Sequence, residues 1–516
     1  MKYFNHRYSL IVTAVFFLVV GLYACDQPPF GGTEGADDNT IPETTMANVP
    51  VEGDTLFANV TLHWDGGDND GFVEYYEWRY ATIDPQSGDT LQSTGWDSTE
   101  NTSLTITFSS PLPFNKQIFW VRAVDNKRDK GDAVSKTFFT EQTIPPQVEI
   151  ERPSNNTKRF YLEQATDWFQ GIEVEFTGED DDGVVEEFGW AVDGGDYNWI
   201  PSSDTIVTIP PEAFGSEGDH TIILNGRDDT DLTSDDPDTI NVTLIKPTFD
   251  KGILVIDETQ ESDFQRSGGE VSQYDDSDVD SMYSSWIEPT EHTNWDFGDD
   301  GMPDREVLGQ YKMVFWHGDN WYGSSADAHK IGNHKQILSE YMNVGGDFIM
   351  SGWKMLKSLR PTASYPYTFQ EGDFELDYLH IRTANQSGAN PPGDMVGGNG
   401  VGDYDTNPNQ ALPDITIDSS KVGGYPVSFY SNMVDVNLVD DAAGFTSPIY
   451  TFECRSDCGD PNLRGKTIGI RYFGTSFDAV VFGFPIFFMK EEDAETIIDQ
   501  ILTNMGYRDE PERTIR

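Results

Sequence analysis

The stretch YKMVFWHGDNW, residues 311–321, runs apolar and then stops at a polar cluster, so that His317 stands between Trp316 and Gly318 with Asp319 two residues on. A histidine there does acid–base work only if a nucleophile or metal and an orienting acid lie within hydrogen-bond reach. Two acids are on offer, Asp319 and Asp257, the latter in the run GILVIDE (252–258); the hydroxyl in an equivalent place is Ser351, near the end of DFIMSG (347–352). That set would support hydrolysis, by Ser351 or by a water held by His317 with Asp257 or Asp319. The flanking Trp316 and Trp321 suit packing or ligand recognition instead. A weak dyad is all the spacing offers, and packing or ligand contact is the expected role of His317.

Clustered aspartates raise a second chemistry. An EF-hand loop needs alternating Asp or Asn, a glycine at position six and a glutamate at position twelve. Asp68, Asp70, Gly71 and Glu77 fall in that register, but position one is Gly66; in a second copy Asp180 and Asp182 recur, position one is Gly178, and Gly189 replaces the glutamate. The run DFGDDGMPD (296–304) offers Asp296, Asp300 and Asp304. Turn formation is the expected role, with calcium held between strands as the alternative. Beyond calcium no cofactor is expected, and no other metal site. The glycine-rich segment 387–405 satisfies neither dinucleotide nor P-loop spacing and reads as a surface loop.

The elements that must position these residues change character along the chain. VTLHWDGGDNDGFVEYYEWRY (60–80) is echoed by IEVEFTGEDDDGVVEEFGWAV (172–192) at a spacing of 112 residues, with Asp68 on Asp180, Gly71 on Gly183 and Trp78 on Trp190. Each copy alternates apolar and polar residues on both sides of an Asp-Gly break, the pattern of a β-hairpin with one buried face. FWVRAVDN (119–126) and IILNGRDD (222–229) supply a later strand running into a polar loop. After Pro247 strands and helices alternate, which predicts a mostly parallel sheet with helices on both faces. One helix is expected from an N-cap at Asn333, with Ile337, Leu338, Tyr341 and Met342 on one face, to Gly345-Gly346. In another, Ala494, Ile497, Ile498, Ile501, Leu502 and Met505 share a face.

The amino terminus sets the compartment. Lys2, His6 and Arg7 precede the run SLIVTAVFFLVVGLYA (9–24), which ends at Cys25 and reads as an export signal over 1–24. Residues 25–45 then form a Pro-, Gly- and acid-rich tether. The other cysteines, Cys454 and Cys458, are expected to form a disulfide outside the cytoplasm. Closing so small a loop contributes about 2 kcal/mol. With 89 Asp plus Glu against 33 Lys plus Arg, a net charge of −56, the surface repels nucleic acid. The acids recur in every region, so the charge speaks of solubility and habitat more than of one site.

Three resemblances follow. Leu22-Tyr23-Ala24-Cys25 resembles the lipobox of bacterial lipoproteins, which implies that Cys25 is acylated and anchors the chain in a membrane. The tryptophans after the Asp-Gly break (Trp78, Trp190) and VRAVD (121–125) resemble immunoglobulin-like and fibronectin type III modules. They imply antiparallel β-sandwiches over 46–145 and 146–247. ILVIDE, YKMVFWHGDN, LSEYMNVGGDFIMSGW and VVFGFPIFF resemble the class I glutamine amidotransferase-like superfamily, implying a flavodoxin/amidotransferase-like α/β domain over 250–507, with 508–516 a tail. Active members carry a cysteine where this chain has Ser351-Gly352-Trp353, so the family's nucleophile is absent. The expected function is that of an extracytoplasmic, lipid-anchored lipoprotein of the bacterial outer membrane or cell surface. Its β modules would be spacers, and its α/β domain would bind a glycan, a peptide or an envelope protein without catalysis. The alternatives are a surface hydrolase using Ser351 and His317, and a structural part of an envelope or secretion assembly.

Overall fold

The computed structural model describes residues 39–508, apart from positions 49, 353, 365 and 419 and the stretches 260–273, 320–328, 387–394, 403–411, 422–431, 437–443 and 455–463. The export run, Cys25, Trp321, Trp353, Cys458 and most of the 387–405 segment lie outside the described residues. Cys454 is disulfide-bonded. The chain divides into two compact units, Met1–Ile144 and Pro145–Arg516.

The first unit is a β-sandwich. Its strands are β1 (Glu43–Met46), β2 (Thr55–Leu56), β3 (Asn59–Gly67), β4 (Val73–Ile83), β5 (Thr90–Ser93), β6 (Asp97–Thr99), β7 (Ser103–Thr107), β8 (Phe114–Asp125) and β9 (Val134–Glu141). One sheet runs β1-β3-β7 and the other β2-β9-β8-β4-β5, with β6 on β4. Alternation along β3 buries Val60, Leu62 and Trp64 against Tyr76, Tyr80, Phe119 and Val121 of the facing sheet, which places the core between the sheets.

The second unit begins with the same plan. Its strands β10 (Gln147–Arg152), β11 (Thr157–Phe160), β12 (Ile172–Glu179), β13 (Val185–Val192), β14 (Asn198–Pro201), β15 (Ile206–Ile209), β16 (Gly218–Asp228) and β17 (Asp238–Ile245) form sheets β10-β12-β15 and β11-β17-β16-β13-β14. This partition of strands between two sheets is that of immunoglobulin-like and fibronectin type III sandwiches.

The repeated Asp-Gly break is not a hairpin turn. β3 pairs with β1 and β7, whereas β4 pairs with β5, β6 and β8, and the second copy divides β12 from β13 in the same way. Both flanking strands bury one face in the same core, so the loop arches from sheet to sheet; alternation alone cannot tell the two cases apart. The later echo marks a turn clamp. Asp125 Oδ1 accepts from the backbone N–H of Lys127 and Asp129, and Asp228 Oδ1 from those of Thr230 and Leu232, all at 2.8 Å. Hydrogen bonds to a charged group contribute about 1.5–3 kcal/mol each. Asp228→Ala should therefore cost the second sandwich about 2 kcal/mol, and Asp228→Asn, which keeps an acceptor, clearly less. Urea titration of both variants measures the difference.

A mixed α/β region completes the second unit. Its strands are β18 (Lys251–Asp257), β19 (His292–Asp296), β20 (Tyr311–Gly318), β21 (Asp347–Gly352), β22 (Tyr367–Thr368), β23 (Ile381–Gln386), β24 (Met395–Gly400), β25 (Ile415–Thr416), β26 (Asn432–Val436), β27 (Gly444–Cys454), β28 (Thr467–Gly474) and β29 (Asp478–Phe482). The main helices are α1 (Asp276–Ile287), α2 (Lys335–Asn343), α3 (Met355–Leu359) and α4 (Glu491–Asn504). A nine-stranded sheet runs β19-β18-β20-β21-β29-β28-β27-β24-β25. Its first four pairings are parallel and its last four antiparallel, so the expected mostly parallel sheet is in fact mixed and has few helices. The reason is local: β28 and β29 are joined by a tight connection that returns the chain on itself, which only antiparallel neighbours allow.

The glycines of the 387–405 segment also have a different use. Met395–Gly400 is strand β24, and a Cβ on Gly397 or Gly400 would run into the carbonyl oxygens of Ile415 and Leu412. Helix α4 buries the expected face. Helix α2 starts later than expected: residues 331–334 form a 3-10 turn and His334, not Asn333, stands at the cap. Among the described residues no helix is long and apolar enough to cross a membrane.

Candidate functional site

Strands β18, β20 and β21 lie side by side and in parallel, with Asp257 opposite His317 and His317 opposite Ser351. Their carboxyl ends therefore align at the edge where open α/β sheets bind ligands. Successive side chains point to opposite faces, so this edge carries two separate clusters.

The first cluster faces α1. His317 Nδ1 lies 3.2 Å from Asp257 Oδ1 and 3.0 Å from Asp319 Oδ2, and all three residues are buried. Tyr283 of α1 stacks on the imidazole with ring centroids 3.8 Å apart and its hydroxyl donates to Asp319 Oδ1 at 3.4 Å, fixing the ring from one side. Helix α1 opens with a capping box at Asp275, and from there Asp276, Asp280 and Tyr283 project at helical spacing toward the strand ends. Asp257, Asp280 and His317 each bring a donor atom within 4.8 Å of the others. Burial and the neighbouring Asp257 and Asp280 push Asp276 up to about 8. Burial opposes a charge on His317, but Asp257 and Asp319 outweigh it and raise its pKa.

The second cluster faces α2. Burial pushes Glu258 up to about 7, while it accepts from Trp316 Nε1 at 3.0 Å and from the backbone N–H of Lys330. His329 Nδ1 lies 4.0 Å from the same carboxylate. Trp316 is fully buried, which removes it from any recognition surface.

Ser351 stands next to His317 in the sheet, but its Oγ donates to Phe484 O at 3.2 Å and accepts from Ile486 N–H at 3.1 Å. Those bonds tie β21 to the segment after β29. The strand-to-helix turn beyond it places Lys354 in left-handed backbone (φ 56°), buried, with its pKa lowered by burial.

The calcium candidates are spread through the molecule. Glu77 pairs with Arg122 and Lys130 at 2.6 and 2.8 Å on the outer face of β4, so two cations already balance it. Asp70 accepts from Lys127 Nζ and Thr40 N–H, both at 3.1 Å, and Asp68 accepts from Asp70 N–H at 3.5 Å. In the second sandwich Asp180 accepts from Asp182 N–H at 3.4 Å, and burial with Asp182 and Asp228 nearby raises it to about 6. Asp296 and Asp304 cap single-turn helices, the first of which ends at Asp300, and Asp304 also pairs with Lys158.

The sequence reading named Asp257, His317 and Asp319, and the fold brings them together. It missed Asp276, Asp280 and Tyr283, whose i, i+4, i+7 spacing was the available signal, along with Glu258 and Lys354.

No protein-family model and no curated protein matches the chain. Among solved structures it is similar to the fibronectin(III)-like modules of Clostridium thermocellum CbhA, at 17% identity over 40% of this chain and 95% of that one, TM-score 0.20. It is similar as well to a two-domain fibronectin type III segment of chicken tenascin, at 12% identity over 40% and 99%, TM-score 0.16. A third is the PKD1 domain of Vibrio anguillarum Epp, at 15% identity over 20% and 99%, TM-score 0.14. Both modules are sandwiches by their own strand pairing.

Proposed function

We propose that this chain is an extracytoplasmic, lipid-anchored protein whose two β-sandwiches act as spacers for a C-terminal domain that binds a ligand without hydrolysing it. One observation carries the non-catalytic reading: the serine hydroxyl opposite His317 in the sheet, Ser351 Oγ, is committed to two backbone partners on the segment after β29. A nucleophile needs a base to take its proton, and this one already donates elsewhere. The likeness to class I glutamine amidotransferases is part of the same proposal. Its support is the parallel run β18-β20-β21-β29 and the serine-glycine pair where active members carry cysteine. The anchor is supported by the apolar run that stops at Cys25 and the acidic tether beyond it.

Cys25→Ser tests the anchor, with membrane and soluble fractions compared and lipid labelling followed. The variant should move to the soluble fraction and lose the label; a variant still in the membrane with label intact would sink the anchor. Purified protein should show no esterase, peptidase or glycosidase turnover. Turnover lost in both His317→Ala and Ser351→Ala would instead promote the hydrolase.

A further inference from the structure

We infer that Asp257, Asp280 and His317 form a site for one divalent first-row transition-metal or zinc ion, held between the carboxyl ends of β18 and β20 and the first turns of α1. The inference does not depend on how the chain is anchored or on what its C-terminal domain binds. Three donors from three elements come within 4.8 Å of one another, the separation that ligands around a common ion adopt. Two of the three are buried at the strand ends and the third, Asp280, is half-buried on α1.

The charge balance points the same way. Four carboxylates, those of Asp257, Asp276, Asp280 and Asp319, act on one another or on a single imidazole. Lys421, whose charge acts on Asp319, donates its ammonium to Phe487 O and Met489 O. A single imidazole is a small counter-charge for this cluster of carboxylates, and a divalent ion would supply two charges at one point. Two further atoms in the cluster, His317 Nε2 and Asp276 Oδ1, are buried with no hydrogen-bond partner, although buried polar atoms almost always have one.

The donor set selects the ion. Calcium and magnesium are bound through oxygen alone, whereas imidazole with carboxylates suits zinc, manganese or ferrous iron. Asp319 Oδ2, 3.0 Å from His317 Nδ1, stands where metal-bound histidines have their outer carboxylate partner, and Tyr283 stacks on the ring and hydrogen-bonds Asp319.

Manganese is the practical probe, because the free ion is counted by its paramagnetic resonance signal. The metal-stripped full chain is titrated with Mn2+ in about 0.5 M NaCl, which screens loose binding to the acidic surface. One tight equivalent is expected, displaced by Zn2+ but not by an equal concentration of Ca2+. Asp280→Asn, on the half-buried side of α1, should keep the far-ultraviolet circular dichroism of the parent and weaken binding about tenfold or more. Asp257→Asn should do the same from the strand side. Either no tight equivalent in the parent chain, or the same tight equivalent in both variants, overturns the site. The Cys25→Ser form should bind Mn2+ as the parent does, which separates this result from the fate of the anchor.

Discussion

Trp64→Ala should cost the first sandwich about 3–5 kcal/mol, the usual range for a large aromatic removed from a core. Trp64 sits on β3, only 4% exposed, and reaches across to the other sheet, stacking on Phe119 of β8 at 5.7 Å and meeting Tyr76 of β4 edge-on at 6.0 Å. Removing it leaves a cavity where both sheets rest on the same ring. The repeated tryptophan, Trp78, is the more conspicuous in sequence, but it is half-buried at the margin of that core, and its loss should cost less. Hydrogen exchange on the full chain measures both: in Trp64→Ala the amides of β3, β4 and β8 should exchange roughly 100-fold faster or more. Strands β12 to β17 belong to the other compact unit and should keep their rates. Trp64→Phe should recover most of the loss, because it keeps a ring and removes an indole N–H that is buried without a partner. A Trp64→Ala protein whose β3 and β8 exchange as in the parent would show that the two sheets do not depend on this contact.

Asp347→Asn should flatten the pH dependence of the second unit's stability between about pH 4 and pH 7. Asp347 begins β21, accepts from Asp478 N–H at 2.7 Å and lies 2.8 Å from the Tyr507 hydroxyl. Burial, with Asp478 adding repulsion, pushes it from 3.8 up to about 7, while Arg471 pulls the other way. In that interval the folded chain keeps a proton that the unfolded chain has released. Stability from this group is therefore complete below about pH 4, falls as pH rises, and levels off above about pH 7. The residue is half-buried, and solvent screening holds the effect to about 2 kcal/mol. Asparagine can keep both contacts, accepting from Asp478 N–H and donating to Tyr507. Urea unfolding at pH 5 and pH 8 should show the parent losing that amount relative to the variant, and equal losses would place the sensitivity elsewhere, with Glu258 the next group to test.

What could be read in the sequence was set by which interactions are local. The face of α4 was legible because its apolar spacing has only one solution, and the recurrence of Asp125 at Asp228 was legible as a strand running into a loop. The arch from β3 to β4 was not, because half-buried strands of one sheet and of two sheets alternate alike. The glycines of β24 resembled loop residues until their partners, the Ile415 and Leu412 carbonyls, came into view. At the site, Asp257 and His317 stood out because each ends an apolar run, whereas Asp276 and Asp280 were lost among 89 acidic residues. Only the packing of α1 on the strand ends distinguishes them.

One pair of strands in the second sandwich has a mechanical meaning. β11 and β17 are parallel neighbours, paired from Thr157 with Val242 through Phe160 with Ile245. Tension that enters before β11 and leaves after β17 pulls the two strands in opposite directions along their shared ladder. All of its hydrogen bonds are then loaded in shear at once and must fail together. A hairpin pulled from its open end gives way bond by bond and yields at lower force, so this sandwich transmits a pull along the chain where a hairpin-closed one would unzip.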